Sequence, residues 1–112
     1  MDDHRRFNRS EVATLVKIES GGQTLLGTSL NISLTGLGCE LTQDLQSTKP
    51  VLVSFRLSLK DRPITTWAEP IWSSRIDDKW RVGFKYVELD SAHHRAIADY
   101  LSEIWQQEHN LA

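Results

Sequence analysis

The sequence predicts a mainly β protein, a six-stranded antiparallel (split) β-barrel with an α-helix at its C-terminus. Three observations predict it. Val51, Val53, Phe55, Leu57 and Leu59 alternate with Ser54, Arg56, Ser58 and Lys60, the period of two that marks a half-buried strand. Turn signals recur at short intervals, at Gly21-Gly22, Asp61-Arg62-Pro63 and Asp77-Asp78-Lys79. After Asp90 the period changes: Ile97, Tyr100, Leu101, Ile104 and Trp105 fall on one stripe of a helix.

The elements follow in order. Val12 to Glu19 is rich in β-branched residues and ends at the glycine pair, so Thr24 to Ile32 pairs back on it as a hairpin. Gly36 to Leu41 is a third, short strand, and Val51 to Lys60 a fourth. Ile64 to Ser74 is the fifth. Its Pro70 cannot donate to a ladder and so belongs at an edge or a bulge. Trp80, Val82, Phe84 and Tyr86 alternate again in the sixth. The helix spans about residues 90–108, with Asp90 or Ser91 capping its first turn. A barrel of six strands leaves an open mouth or edge, which a terminal helix covers.

At 112 residues the chain supports one core and not two. We divide it into a flexible N-terminal arm, residues 1–10, and a single barrel domain, residues 11–112. Hydrophobic residues are 39% and charged residues 25%, as in ordinary globular proteins. Thirteen Lys and Arg against fifteen Asp and Glu leave a formal charge of -2, so no global field attracts nucleic acid or an anionic membrane. Any anion site must be local. The lone Cys39 excludes an intrachain disulfide, and its alternation with Leu37 and Leu41 places it in the core. No run is long and apolar enough to span a membrane, and Met1-Asp2-Asp3-His4 does not read as a secretory leader. The expectation is a cytoplasmic protein.

Two motifs carry chemistry. Arg5-Arg6-Phe7-Asn8-Arg9 is a cluster of guanidinium forks, which fit phosphate oxygens and the O6/N7 edge of guanine alike. Arg5 and Arg9 project to one side of an extended segment. In Asn31-Ile32-Ser33-Leu34-Thr35-Gly36, Asn31 and Ser33 share a face at a strand end, and Gly36 permits close approach to bare backbone. Taken alone, the first reads as a solvated tail and the second as a tight turn.

The ordered pair, RxxxR and then [D/N]xSxxG between the second and third strands, resembles the PilZ domain family of bacterial cyclic di-GMP receptors. Trp80-Arg81-Val82-Gly83-Phe84-Lys85-Tyr86 resembles that family's last strand, and the terminal helix agrees. Asn31 stands where many members have Asp, a variant within the pattern. The resemblance implies a cyclic di-GMP receptor and adaptor in second-messenger signalling, with no cofactor. It implies that Arg5 and Arg9 grip phosphate and the guanine Hoogsteen edge, with Arg6 adding a contact or stacking surface. Asn31 and Ser33 would bond a guanine edge, Gly36 would leave room, and Trp72 is the candidate to stack on a base. Ligand would fold the arm across the barrel and relay the signal to an unidentified effector protein, or alter a homodimer contact.

Other classes fit less well. His93-His94 lack a third ligand at zinc-site spacing, so no metal site is expected. Ser33 has no triad partners in evident position, so no enzyme is expected. A barrel for single-stranded nucleic acid would spread its basic residues along strands. A PilZ-like protein adaptor without nucleotide binding is the nearest alternative.

Overall fold

A computed structural model describes residues 9–10, 13–58 and 61–109. Seven strands and one helix make up its regular structure: β1 (Arg9–Ser10), β2 (Leu15–Ser20), β3 (Gln23–Ser33), β4 (Gly36–Leu41), β5 (Val51–Phe55), β6 (Ile64–Ile76), β7 (Lys79–Tyr86) and α1 (Ser91–His109). All pairings are antiparallel. The order β3-β2-β5-β6-β7-β4 closes on itself because β4 also pairs with β3. The result is the closed six-stranded barrel with a C-terminal helix that the sequence predicts. β1 lies on the same edge of β3 as β2.

Local chemistry explains the elements. Gly21 and Gly22 take positive φ (56° and 81°) in the two-residue turn joining β2 and β3, which glycine enters without steric cost. Val16 and Ile18 on β2, Val51, Val53 and Phe55 on β5, and Val82, Phe84 and Tyr86 on β7 point inward. The Phe55 and Tyr86 rings stack with centroids 6.3 Å apart. Ile97 and Leu101 of α1 complete the core, with Tyr100 packed beside them. Asp90 is the helix cap: its Oδ1 accepts from the His93 N–H at 2.8 Å, and its carbonyl accepts from the His94 N–H at 2.9 Å.

Two boundaries differ from expectation. The strand predicted over Val51 to Lys60 ends at Phe55, because β2 and β6 pair with it no further than Val16 and Ile64. Leu57 is buried nonetheless, so alternation there reported burial and not ladder pairing. The first barrel strand begins at Leu15, and Val12 lies outside the described residues.

The two bulges matter most for function. β3 shifts register between Ser29 and Asn31, and β6 between Pro70 and Trp72. Before the first bulge Leu25 and Ser29 face the core; after it Ile32 does, and Asn31 and Ser33 turn outward. Before the second, Ile64, Thr66 and Ala68 face inward; after it Trp72 faces out. Each extra residue reverses the parity of everything that follows. Pro70 sits beside a bulge, as its missing N–H requires.

Candidate functional site

Cross-strand register assembles the site. Asn31 lies opposite Gly38, Gly38 opposite Gly83, and Gly83 opposite Trp72, so one row crosses four strands from amide to indole. Two residues without Cβ atoms form its floor. A side chain at Gly83 would overlap the Trp72 indole, and one at Gly38 would lie 3.3 Å from Asn31 Nδ2. The amide and the indole therefore fold toward each other over the glycines. A neighbouring outward row runs from Gly36 through Lys85 to Glu69, while Ser33 faces the backbone of Arg9. The rows enclose a shallow depression of about 350 Å³.

The Asn31–Gly36 segment is held internally. Ser33 Oγ accepts from the N–H groups of Thr35 (3.2 Å) and Gly36 (3.1 Å) and donates to the Gly36 carbonyl at 3.1 Å. The buried Tyr86 hydroxyl donates to the Ser33 carbonyl at 3.2 Å, and the Tyr86 N–H to the Thr35 carbonyl at 3.0 Å. Burial raises the Tyr86 phenol above its ordinary range, so it remains a donor at neutral pH. Asn31 Oδ1 accepts from the Gly38 N–H at 3.2 Å, which leaves the amide NH2 to donate outward.

Asn31, Ser33, Gly36 and Trp72 thus meet in one depression, and the backbone of Arg9 reaches its rim. Arg5 and Arg6 lie outside the described residues, as does the rest of the arm before Arg9. The Ser33 hydroxyl, which the resemblance assigned to a guanine edge, bonds within the turn. Sequence reading missed Lys85, an exposed cation on the site floor opposite Gly36, and it missed the roles of Gly38 and Gly83. Inspection of the glycines flanking Cys39 and Phe84 was the available signal. Among the described residues, no three His, Cys, Asp or Glu side chains converge on a cation site.

Comparison with known proteins agrees with this architecture. The profile described as PilZ domain matches residues 3–103. The chain belongs to the PilZ domain family. Among solved structures, this PilZ domain is similar to the Bacillus subtilis inhibitor of motility MotI/DgrA, with TM-score 0.77 and 22% identity over 94% of this chain and 52% of that one. It is similar to Escherichia coli YcgR in complex with c-di-GMP, with TM-score 0.77 and 15% identity over 91% of this chain and 46% of that one. It also matches the separate PilZ domain of Escherichia coli YcgR with c-di-GMP, with TM-score 0.71 and 13% identity over 93% and 95% of the two chains. The chain spans about half the length of the first two. No curated protein matches it by sequence. At these identities the likeness establishes the PilZ fold, in which no described helix is long and apolar enough to cross a membrane.

Proposed function

We propose that this PilZ domain is a cyclic di-GMP receptor that binds its ligand in the Asn31–Trp72 depression and passes the signal to a partner protein. The observation that carries this reading is the row Asn31–Gly38–Gly83–Trp72, with Arg9 brought opposite Ser33 at its rim. A guanine base needs an apolar face to stack on and donors for its O6 and N7 acceptors. The Trp72 indole, 49% exposed, offers the first, and the Asn31 amide NH2 offers a donor. The two phosphates need cations, which Arg5, Arg6 and Arg9 supply. Ser33 and Gly36 serve by shaping the turn against which the ligand lies.

No bond of the ligand is broken in this scheme, so the domain acts as a receptor and not as an enzyme. Residues 1–8 close over the bound ligand from the short strand β1, exchanging chain entropy for ionic contacts. The ordered arm is the surface the effector protein reads.

Calorimetry with cyclic di-GMP, with cyclic di-AMP as control, tests the reading. Each charge-assisted hydrogen bond is worth about 1.5–3 kcal/mol, so Arg9→Ala should weaken binding by roughly ten- to a hundredfold. Adenine presents N6 donors where guanine has its O6 acceptor, so cyclic di-AMP should bind poorly. Equal affinity for the two dinucleotides, or no binding of either, would overturn the proposal. Unchanged amide exchange in residues 1–10 at saturation would defeat arm closure alone.

A further inference from the structure

We infer that the outer edge of β6, from Trp72 to Ile76, pairs with the same edge of a second copy of this chain. β5 covers β6 only from Ile64 to Ala68, and beyond that point, among the described residues, β6 has a strand on one side alone. The β6–β7 hairpin closes through a two-residue turn, Asp77-Asp78, with Ile76 opposite Lys79. In such a hairpin the closing pair exchanges both hydrogen bonds, and successive pairs alternate. Ser74 and Trp72 therefore bond to β7, while Ser73 and Arg75 aim their N–H and C=O groups away from it. No backbone hydrogen bond joins Ser73 or Arg75 on that side to a described residue.

The edge is also unusually apolar. Ile71, Trp72 and Ile76 are 59%, 49% and 43% exposed, half of the large exposed hydrophobic residues among those described. Such an edge is a template for a further strand. A second copy is the partner because the segment matches itself about a two-fold axis at Ser74. In that register Trp72 stands opposite Ile76 on the outer face, twice. Ser73 stands opposite Arg75, forming the hydrogen-bonded pairs, and no like charges face each other between Trp72 and Ile76. A depression of about 340 Å³ between this edge and the loop carrying Asp44 and Gln46 gives the incoming strand room. The interface is short, so association is weak, in the size class below ~1,200 Å².

The test uses the full chain and needs no nucleotide, so its outcome is independent of the function proposed above. In an antiparallel pair the two-fold brings Ser74 of each copy to a non-hydrogen-bonded site, Cα atoms about 4.5 Å apart, within disulfide reach. Ser74→Cys should form a disulfide-linked dimer under mild oxidation. Thr65→Cys, exposed on the same strand where β5 covers that edge through Ser54, should not. Native Cys39 is fully buried and does not interfere. In sedimentation, wild type and Arg75→Ala should dimerise with similar affinity. Arg75→Pro, which removes an edge N–H and spares the β7 ladder, should weaken dimerisation at least roughly tenfold. A monomer at every concentration, cross-linking of Ser74→Cys no better than of Thr65→Cys, or dimerisation of Arg75→Pro equal to wild type would each overturn the inference.

Discussion

Adding one methyl group at two glycines of the same depression should have opposite consequences. At Gly36 a Cβ would fall on the Phe84 carbonyl oxygen, and it would lie 3.1 Å from the carbonyl carbon and 3.2 Å from Lys85 Cα. These atoms belong to the neighbouring strand's backbone and cannot swing aside, so β4 and β7 must part where Gly36 pairs with Lys85. Overpacking of this kind costs about 1–3 kcal/mol. At Gly83 the nearest atoms a Cβ would meet are all in the indole ring of Trp72, a half-exposed side chain that can rotate away. Gly83→Ala should therefore leave stability unchanged, or raise it by about 0.5–1 kcal/mol through reduced freedom of the unfolded chain. Urea denaturation followed by circular dichroism measures both. With a slope of about 1–3 kcal/mol/M, Gly36→Ala should lower the midpoint by about 1 M while Gly83→Ala does not. Gly83→Ala should still change tryptophan emission and weaken base stacking, which is worth about 1–3 kcal/mol. Equal destabilisation by the two substitutions, or a neutral Gly36→Ala, would refute the packing described for this floor.

Three further outcomes follow from particular contacts. Asp90→Ala removes the cap of α1 and should cost about 1 kcal/mol, read as a melting-temperature drop of about 4–8 °C. Tyr86→Phe leaves the Ser33 carbonyl without its donor and should cost about 1–3 kcal/mol in denaturant titration, while Tyr100→Phe makes no difference to the turn. Burial pushes the Cys39 thiol from 9.0 up to about 12, so the folded state holds a proton that the unfolded chain releases. Stability from this group is complete below the unfolded value and is lost as pH rises through the folded one. Stability at about pH 10.5 should thus be about 2 kcal/mol below that at about pH 8, and Cys39→Val should flatten that part of the slope. Tyr86, also raised by burial, adds a further loss in the same direction at higher pH.

Much of the barrel was legible in the sequence because its signals are local. Val51, Val53 and Phe55 alternate since alternate residues of a strand face one core, and all three are buried. The stripe from Ile97 to Leu101 marks the buried face of α1, and Asp90 caps it. Cys39 sits in the core between Leu37 and Leu41 as their alternation requires. The motif around Asn31 was also readable, since its residue types carry their chemistry wherever the chain places them. The hydroxyl of Ser33 was not assignable, because its partners at Thr35 and Gly36 depend on how the turn closes.

Strand direction at the site was decided by the tertiary structure alone. By simple alternation from Leu25 and from Ile64, Asn31 and Trp72 would both face the core; a bulge in each strand turns them out. Pro70 marks an edge or bulge in β6 by its missing N–H, but nothing local marks the bulge in β3. Which way the residues after either one face depends on how strands match across a closed barrel. The same holds for the row joining Asn31, Gly38, Gly83 and Trp72, residues remote in the chain and adjacent only through register. Local periodicity determined which segments are strands and which is the helix. Barrel closure determined which of their side chains meet, because pairing register is set by partners far away in sequence.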